Sequence, residues 1–170
     1  SEDVVGTQIS GVMNAVKGNV KGVQVAGVIN NNDSITEGIQ ISGVYQKTHT
    51  LRGLQIGGLY NRAVKAIGGQ ISGLINTVDS ATTFLQIAGL YNHAANIKGI
   101  QISGLVNTCD TLTGLQIGIF NRANHVKKGL SIGLINYVKN GYIKLEFSHN
   151  DLGTTYIGYR SGWAPLHMHY

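Results

Sequence analysis

At 170 residues and 18.1 kDa with 42% hydrophobic residues, the chain is long enough for one domain with a substantial core and too short for two independent ones. Twenty-four glycines, one proline and 12% charged residues point away from a helical chain and toward an all-β, turn-dense one. The net charge of +5 arises from Lys and Arg scattered singly among Asp and Glu, with Lys127-Lys128 the one basic pair, so the concentrated stripe of a nucleic-acid binder is missing.

From Gly6 onward one pattern is written nine times: Gly, apolar, Gln, apolar, small, Gly, apolar, any, Asn. Its Gln recurs at Gln8, Gln24, Gln40, Gln55, Gln70, Gln86, Gln101 and Gln116, with Ser131 in the ninth copy, always 15 or 16 residues apart. A short fixed period specifies an array in which each unit buries a face against its neighbours. Alternation sets Ile100 and Ile102 on one face of a strand and Gln101 on the other. The apolar residue after each Gln (Ile9, Val25, Ile41, Ile56, Ile71, Ile87, Ile102, Ile117, Ile132) is expected to fill the core, at about 1.5 to 3 kcal/mol gross per buried side chain. The glycine three after Gln, as at Gly73 and Gly104, predicts a bend that turns the next apolar residue, Leu74 or Leu105, inward. Copies eight and nine, QIGIFN at 116 to 121 and SIGLIN at 131 to 136, lack one residue, and plain alternation then places Ile119 and Leu134 inside.

Asn closes the pattern at Asn14, Asn30, Asn61, Asn76, Asn92, Asn107, Asn121 and Asn136, and Gln46 alone departs. Asn tolerates turn conformations and bonds nearby backbone, so this column predicts a stacked Asn ladder. The glycine two before each Gln marks the opposite corner, with Phe84 the exception. Connectors carry apolar residues at Val16, Ala63, Val78, Ala94, Cys109 and Ala123, which favours a chain wrapped around a core over free hairpin loops.

The fold expected is therefore an all-β solenoid of nine repeats of about 15 residues. Because Gln8, Gln40, Gln70 and Gln101 head QISG whereas the copies between them do not, two repeats are read as one coil of about 31 residues, with a strand in each of two packed sheets. That stacking lines up Tyr60, Tyr91 and Phe120, then Arg62, His93 and Arg122, as candidate surface columns on one sheet, with Thr77 over Thr108 and Asp79 over Asp110 on the other. The two edges would then differ in charge. A 15-residue coil would interleave those columns, and an antiparallel meander is the alternative architecture. The register ends near residue 140. YIKLEFS at 142 to 148, a turn at 149 to 153 and TTYIGY at 154 to 159 read as a hairpin, so residues 1–140 form the repeat solenoid and 141–170 a hairpin, cap or start of a further β module.

GLQIGGLYNRA at 53 to 63, KGIQISGLVN at 98 to 107 and KKGLSIGLINYVKNGYIKLEFS at 127 to 148 resemble the Gly-Leu-Gln-Ile-Gly-Leu-Asn repeats of surface-repeat proteins of Bacteroidetes-type bacteria. The resemblance covers residues 6 to 148 and implies an exported protein at the periplasm or outer-membrane surface, with no catalytic residues to carry over. Ser1 is not followed by a signal peptide, so the chain is either cytosolic or already processed. No apolar run is long enough for a transmembrane helix.

The remaining chemistry reads as structural. The Gln column is expected to form an amide ladder along the axis, in preference to a lattice of amides offered to a glycan. His167 and His169 share a strand face without a third ligand, so neither metal nor cofactor is expected. Cys109 occupies a slot filled elsewhere by Ala63, Ala94 and Ala123, which makes it a small core residue and not a nucleophile served by His93 or His125. Asp33, Asp79 and Asp110 read as turn residues, no glycine-rich stretch has the form of a phosphate loop, and the threonine columns at Thr77 and Thr108 are too interrupted for an ice-binding face. The functional expectation is a non-enzymatic repeat scaffold of the bacterial envelope with an extended surface for protein or glycan; the alternative is a carbohydrate-binding or polysaccharide-acting β-solenoid.

Overall fold

The computed structural model describes residues 2–139, 142–149 and 155–162; the turn read at 149–153 falls largely outside them, and His167 and His169 lie outside them altogether. One sheet is built from β1 (Val4–Ser10), β2 (Met13–Val16), β3 (Val20–Ala26), β4 (Ile29–Ser42), β5 (Tyr45–Gly57), β6 (Tyr60–Ser72), β7 (Ile75–Ala88), β8 (Tyr91–Ser103), β9 (Val106–Ile117), β10 (Phe120–Ile132) and β11 (Ile135–Val138). A separate antiparallel pair, β12 (Tyr142–His149) and β13 (Thr155–Gly162), is the hairpin expected after the repeats.

Every pairing in the large sheet is parallel, and the partners are one repeat apart: Gln8 lies beside Gln24, Gln24 beside Gln40, Gln40 beside Gln55, and so on to Gln116 beside Ser131. The chain is thus a β-solenoid with a coil of 15 or 16 residues. This overturns the 31-residue coil, which would set Gln8 beside Gln40, and it overturns the meander, whose neighbours would run antiparallel. Each strand from β4 to β10 is 12 to 14 residues long, with only two residues between one strand and the next, so a single strand wraps almost a whole coil.

Two glycine columns make such tight wrapping possible. At Gly22, Gly38 and Gly53 the backbone has φ of +136°, +135° and +150°, which an L side chain rarely adopts, and an added Cβ would overlap the carbonyl oxygen of the glycine in the coil before. Phe84 cannot follow that path. The register between β7 and β8 shifts ahead of it, between Val78 and Thr82, and again across it, between Thr83 and Leu85, and the ring points outward at 56% exposure. At the second corner the glycines from Gly27 to Gly104 stack so closely that a Cβ would again meet the oxygen of the one before.

The facing of the strands is the reverse of the expectation. Gln24 to Gln116 and Asn30 to Asn107 are fully buried, whereas the residues after Gln lie outside, partly exposed at most positions and as much as 74% exposed at Ile9. Leu74 and Leu105 also face out at 38% and 43%, and Leu134 does so at 75%. Ile119 is only partly buried. The reason is geometric: a 15-residue coil encloses a narrow interior, and a flat amide fits there and bonds to copies above and below at the interstrand spacing of about 4.8 Å. The apolar part of the core is correspondingly small-bodied, with Ala63, Ala66, Val78, Ala94, Cys109 and Ala123 packed around Leu51, Ile97 and Leu112.

Candidate interaction surface

Inside, two amide ladders run along the solenoid, the Gln row unbroken and the Asn row interrupted at Gln46. Each Gln Nε2 donates to the Gln Oε1 of the coil before, at 2.7 to 3.0 Å from Gln24 through Gln116, and Ser131 Oγ ends the row on Gln116 Oε1 at 3.1 Å. Except across Gln46, each Asn Nδ2 from Asn14 to Asn121 donates the other way, to the Asn Oδ1 of the coil after, as in Asn76 to Asn92 at 3.0 Å and Asn92 to Asn107 at 3.0 Å. The same Asn nitrogens also donate to backbone carbonyls one coil on, Asn76 to Ile87 O at 2.7 Å. Because the two rows of amide dipoles point in opposite directions, their fields along the axis oppose each other. The Gln and Asn columns are thereby committed to the interior and offer nothing to a ligand.

The outer surface carries what the interior does not. Four columns face out: the residue before Gln, the residue after Gln, and the two residues before Asn. In nine copies these columns contain no charged residue, one polar residue other than tyrosine, Thr7, and one glycine, Gly69. The column two before Asn is aliphatic throughout and sits at the glycine corner, with Val44, Leu59, Leu90 and Leu105 between 39% and 44% exposed. With nine copies stacked at about 4.8 Å and a contour of about 20 Å between the outer columns, the wall covers on the order of 800 Å², more than the largest apolar patch of an ordinary soluble monomer, about 300–600 Å². Near its C-terminal end a shallow groove of about 440 Å³ runs between Ile117, Ile119, Ile132 and Leu134.

Charge begins where the wall ends. On one side, the column after Asn holds Lys47, Arg62, His93 and Arg122; on the other, the column three before Gln holds Lys21, Glu37, Arg52, Lys98 and Lys128. Asp33, Asp79 and Asp110 stand three after the Asn position, farther from the wall. Asp33 meets Lys47 at 4.0 Å, Asp79 meets Arg62 at 3.1 Å and Glu37 meets Arg52 at 2.9 Å, whereas Lys21, Lys98 and Lys128 make no ion pair among the described residues.

The expected surface columns are all on the outside, but in the interleaved order of the short coil. Tyr60 and Tyr91 alternate with Ile75 and Val106 before Phe120, and Arg62 and His93 alternate with Thr77 and Thr108 before Arg122. Thr77 and Asp79 therefore share a face with Arg62, and the expected difference in charge between two edges does not form. Tyr60 and Tyr91 hydroxyls each bond the threonine one coil on, Thr77 at 3.1 Å and Thr108 at 3.0 Å. His93 Nδ1 also meets Thr108 Oγ1, at 2.9 Å. Tyr91, His93, Asp110, Arg122 and Asn124 border a hollow of about 250 Å³. Cys109 lies beneath it, buried, with its thiol pushed up to about 12 by desolvation first and by the nearby Asp110 charge second, which keeps it protonated and a poor nucleophile.

Sequence reasoning missed the wall. Its signal was present: Asn and the small residue two beyond it share one parity, so placing Ala94 or Cys109 inside also places Asn92 and Asn107 inside and sends the apolar residue before each Asn out. Among the described residues no three His, Cys, Asp or Glu side chains gather as a ligand set, and no helix is long and apolar enough to cross a membrane. Compared with protein-family models, curated proteins and solved structures, the chain matches none.

Proposed function

We propose that the chain is a non-enzymatic repeat scaffold of the bacterial envelope whose working part is the apolar outer wall. The observation that supports this reading is the inversion of the coil: the polar columns are consumed by ladders inside, and an uncharged, largely apolar surface is left running along the nine repeats. Water-exposed apolar area of this extent favours burial against another body, at roughly 25 cal/mol per Å². The envelope setting follows from the resemblance of the Gly-Leu-Gln-Ile repeats to bacterial surface-repeat proteins. Carbohydrate binding is the second reading, and the hollow beside Tyr91 and His93 favours it, since an aromatic face next to hydrogen-bonding side chains suits a sugar ring.

A photoreactive phenylalanine analogue at Leu74, compared with one at Lys65 on the polar side, tests the scaffold reading in cells. Adducts to other molecules at position 74 and few at position 65 are expected. Equal yields, or none at position 74, would overturn it.

A further inference from the structure

The structure places three kinds of side chain in a fixed order around the wall. At its centre is the aliphatic column at the glycine corner, Val12 through Leu134, flanked by the isoleucines after Gln. Next, on one side, come Tyr45, Tyr60, Tyr91 and Phe120, in the column immediately before Asn. Outermost, on both sides, come the cations: Lys47, Arg62 and Arg122 beyond the aromatic column, and Lys21, Arg52, Lys98 and Lys128 beyond the column before Gln, of which Lys47, Arg62 and Arg52 pair with Asp33, Asp79 and Glu37.

From this order we infer that the wall lies on the surface of an anionic lipid bilayer, with the aliphatic column in the acyl region and the two basic rims at the headgroups. The inference rests on the reading of the wall as an interaction surface and names its partner. Aliphatic, then aromatic, then basic is the order of depth at a membrane interface, where tyrosine bridges the apolar and wet layers and Lys and Arg reach phosphate. Apolar burial and attraction to anionic lipid are the two contributions that hold interfacial elements in place. A second copy of the chain is the obvious rival occupant, and charge argues against it. Two walls face to face would bring rims of seven cations, three of them paired with Asp33, Asp79 and Glu37, against rims of the same net positive sign. A bilayer accepts the same rims without that repulsion. The ladders fit this placement as well, because the amides and parallel strands already satisfy one another inside the coil, and the side turned to lipid exposes hydrocarbon.

Sedimentation of the purified chain with vesicles tests this directly. Phosphatidylcholine vesicles carrying phosphatidylglycerol should bring the chain down, and pure phosphatidylcholine vesicles should do so at least about tenfold more weakly. Salt at about 0.5 M should erase most of that preference. The double variant Leu59→Ser, Leu90→Ser should bind anionic vesicles at least about tenfold more weakly with its melting transition kept. Lys98→Glu with Lys128→Glu should remove the anionic preference and leave the apolar surface intact. Failure to sediment with either vesicle, or binding indifferent to both sets of substitutions, overturns the inference. A dimer that the Leu59 and Leu90 substitutions dissociate, in a chain that ignores vesicles, assigns the wall to a second copy and overturns it too, while adducts at position 74 would still uphold the scaffold reading.

Discussion

The interior and the outer wall of this solenoid lie on the two sides of the same strands and use opposite chemistry. Inside, Gln55 and Asn61 are fully buried and carry the amide rows, with Gln55 bonded to Gln40 at 2.9 Å and Asn61 to Asn76 at 2.9 Å. Outside, Ile56, Leu59 and Tyr60 of the same coil keep part of their surface in water, Leu59 as much as 44%. An ordinary sheet would bury the second set and solvate the first. Here the coil is too narrow for the larger set, and each stacked amide recovers its lost water contacts from identical neighbours, so burying it leaves little desolvation uncompensated. The difference teaches that in a coil this short hydrogen bonding decides which residues go in, and hydrophobic burial is deferred to whatever meets the outside.

The contrast is broken most directly from within. Asn76→Ala removes a fully buried side chain that donates to Ile87 O at 2.7 Å and Asn92 Oδ1 at 3.0 Å and accepts from Asn61 Nδ2 at 2.9 Å, the two amide bonds out of water and the carbonyl bond partly so. With several buried groups left unpartnered at about 1 to 3 kcal/mol each, partly relieved by local relaxation, the loss is about 3 kcal/mol. The melting temperature should then fall by roughly 6 to 12 °C, read by thermal unfolding. A fall under about 2 °C would mean that the ladder adds no net stability.

The ladder also has a natural break that can be mended. Gln46 stands where every other copy has Asn; its Nε2 reaches Ile56 O, but its Oε1 and the Oδ1 of Asn61 are buried without partners. Gln46→Asn supplies an Oδ1 for Asn30 and an Nδ2 for Asn61, in the geometry that Asn14 and Asn30 already share at 3.0 Å. A gain of about 1 to 2 kcal/mol is expected, read as a higher denaturant midpoint. Gln46→Leu is the control, since it leaves Asn61 Oδ1 unpartnered and should show no gain.

Much of this was legible in the chain itself. The period, the all-β class, the Asn ladder with its fault at Gln46, the Gln ladder and the corner glycines with the exception at Phe84 are all written in residue types that have one physical use at a fixed spacing. Coil length and facing were not legible, and the two errors are one error. The alternation of QISG with VAG, IGG and IAG suggested a 31-residue coil, whose interior would have had room for isoleucine. The same alternation is an effect of neighbours on a 15-residue coil, where Ser42, Gly57, Ser72 and Ala88 are small because that interior column is tight. Period-two patterning states that two faces differ; it does not say which is inside when both the amides and the isoleucines are regular. For the surface, the sequence displayed Tyr60, Tyr91, Arg62, His93 and Arg122 correctly as exterior residues, but the wall beside them was hidden by the assumption that isoleucine marks a core.

The smallest effect belongs to the wall, and it sharpens the contrast because hydrophobic residues are usually the costly ones to remove. Leu59→Ser deletes an aliphatic side chain that is 44% exposed and stands between Val44 and Leu74, its backbone bonded to both. Full burial of a leucine is worth about 1.5 to 3 kcal/mol, and this one is little more than half buried in a column that only touches its neighbours sideways, so the loss should stay below about 1 kcal/mol. Denaturant unfolding of Leu59→Ser beside Asn76→Ala measures the ratio, and the asparagine should cost about three times as much or more. If the leucine proves the more costly of the two, the wall is itself the stabilising core of the chain, and the inverted roles of its two sides would have to be abandoned.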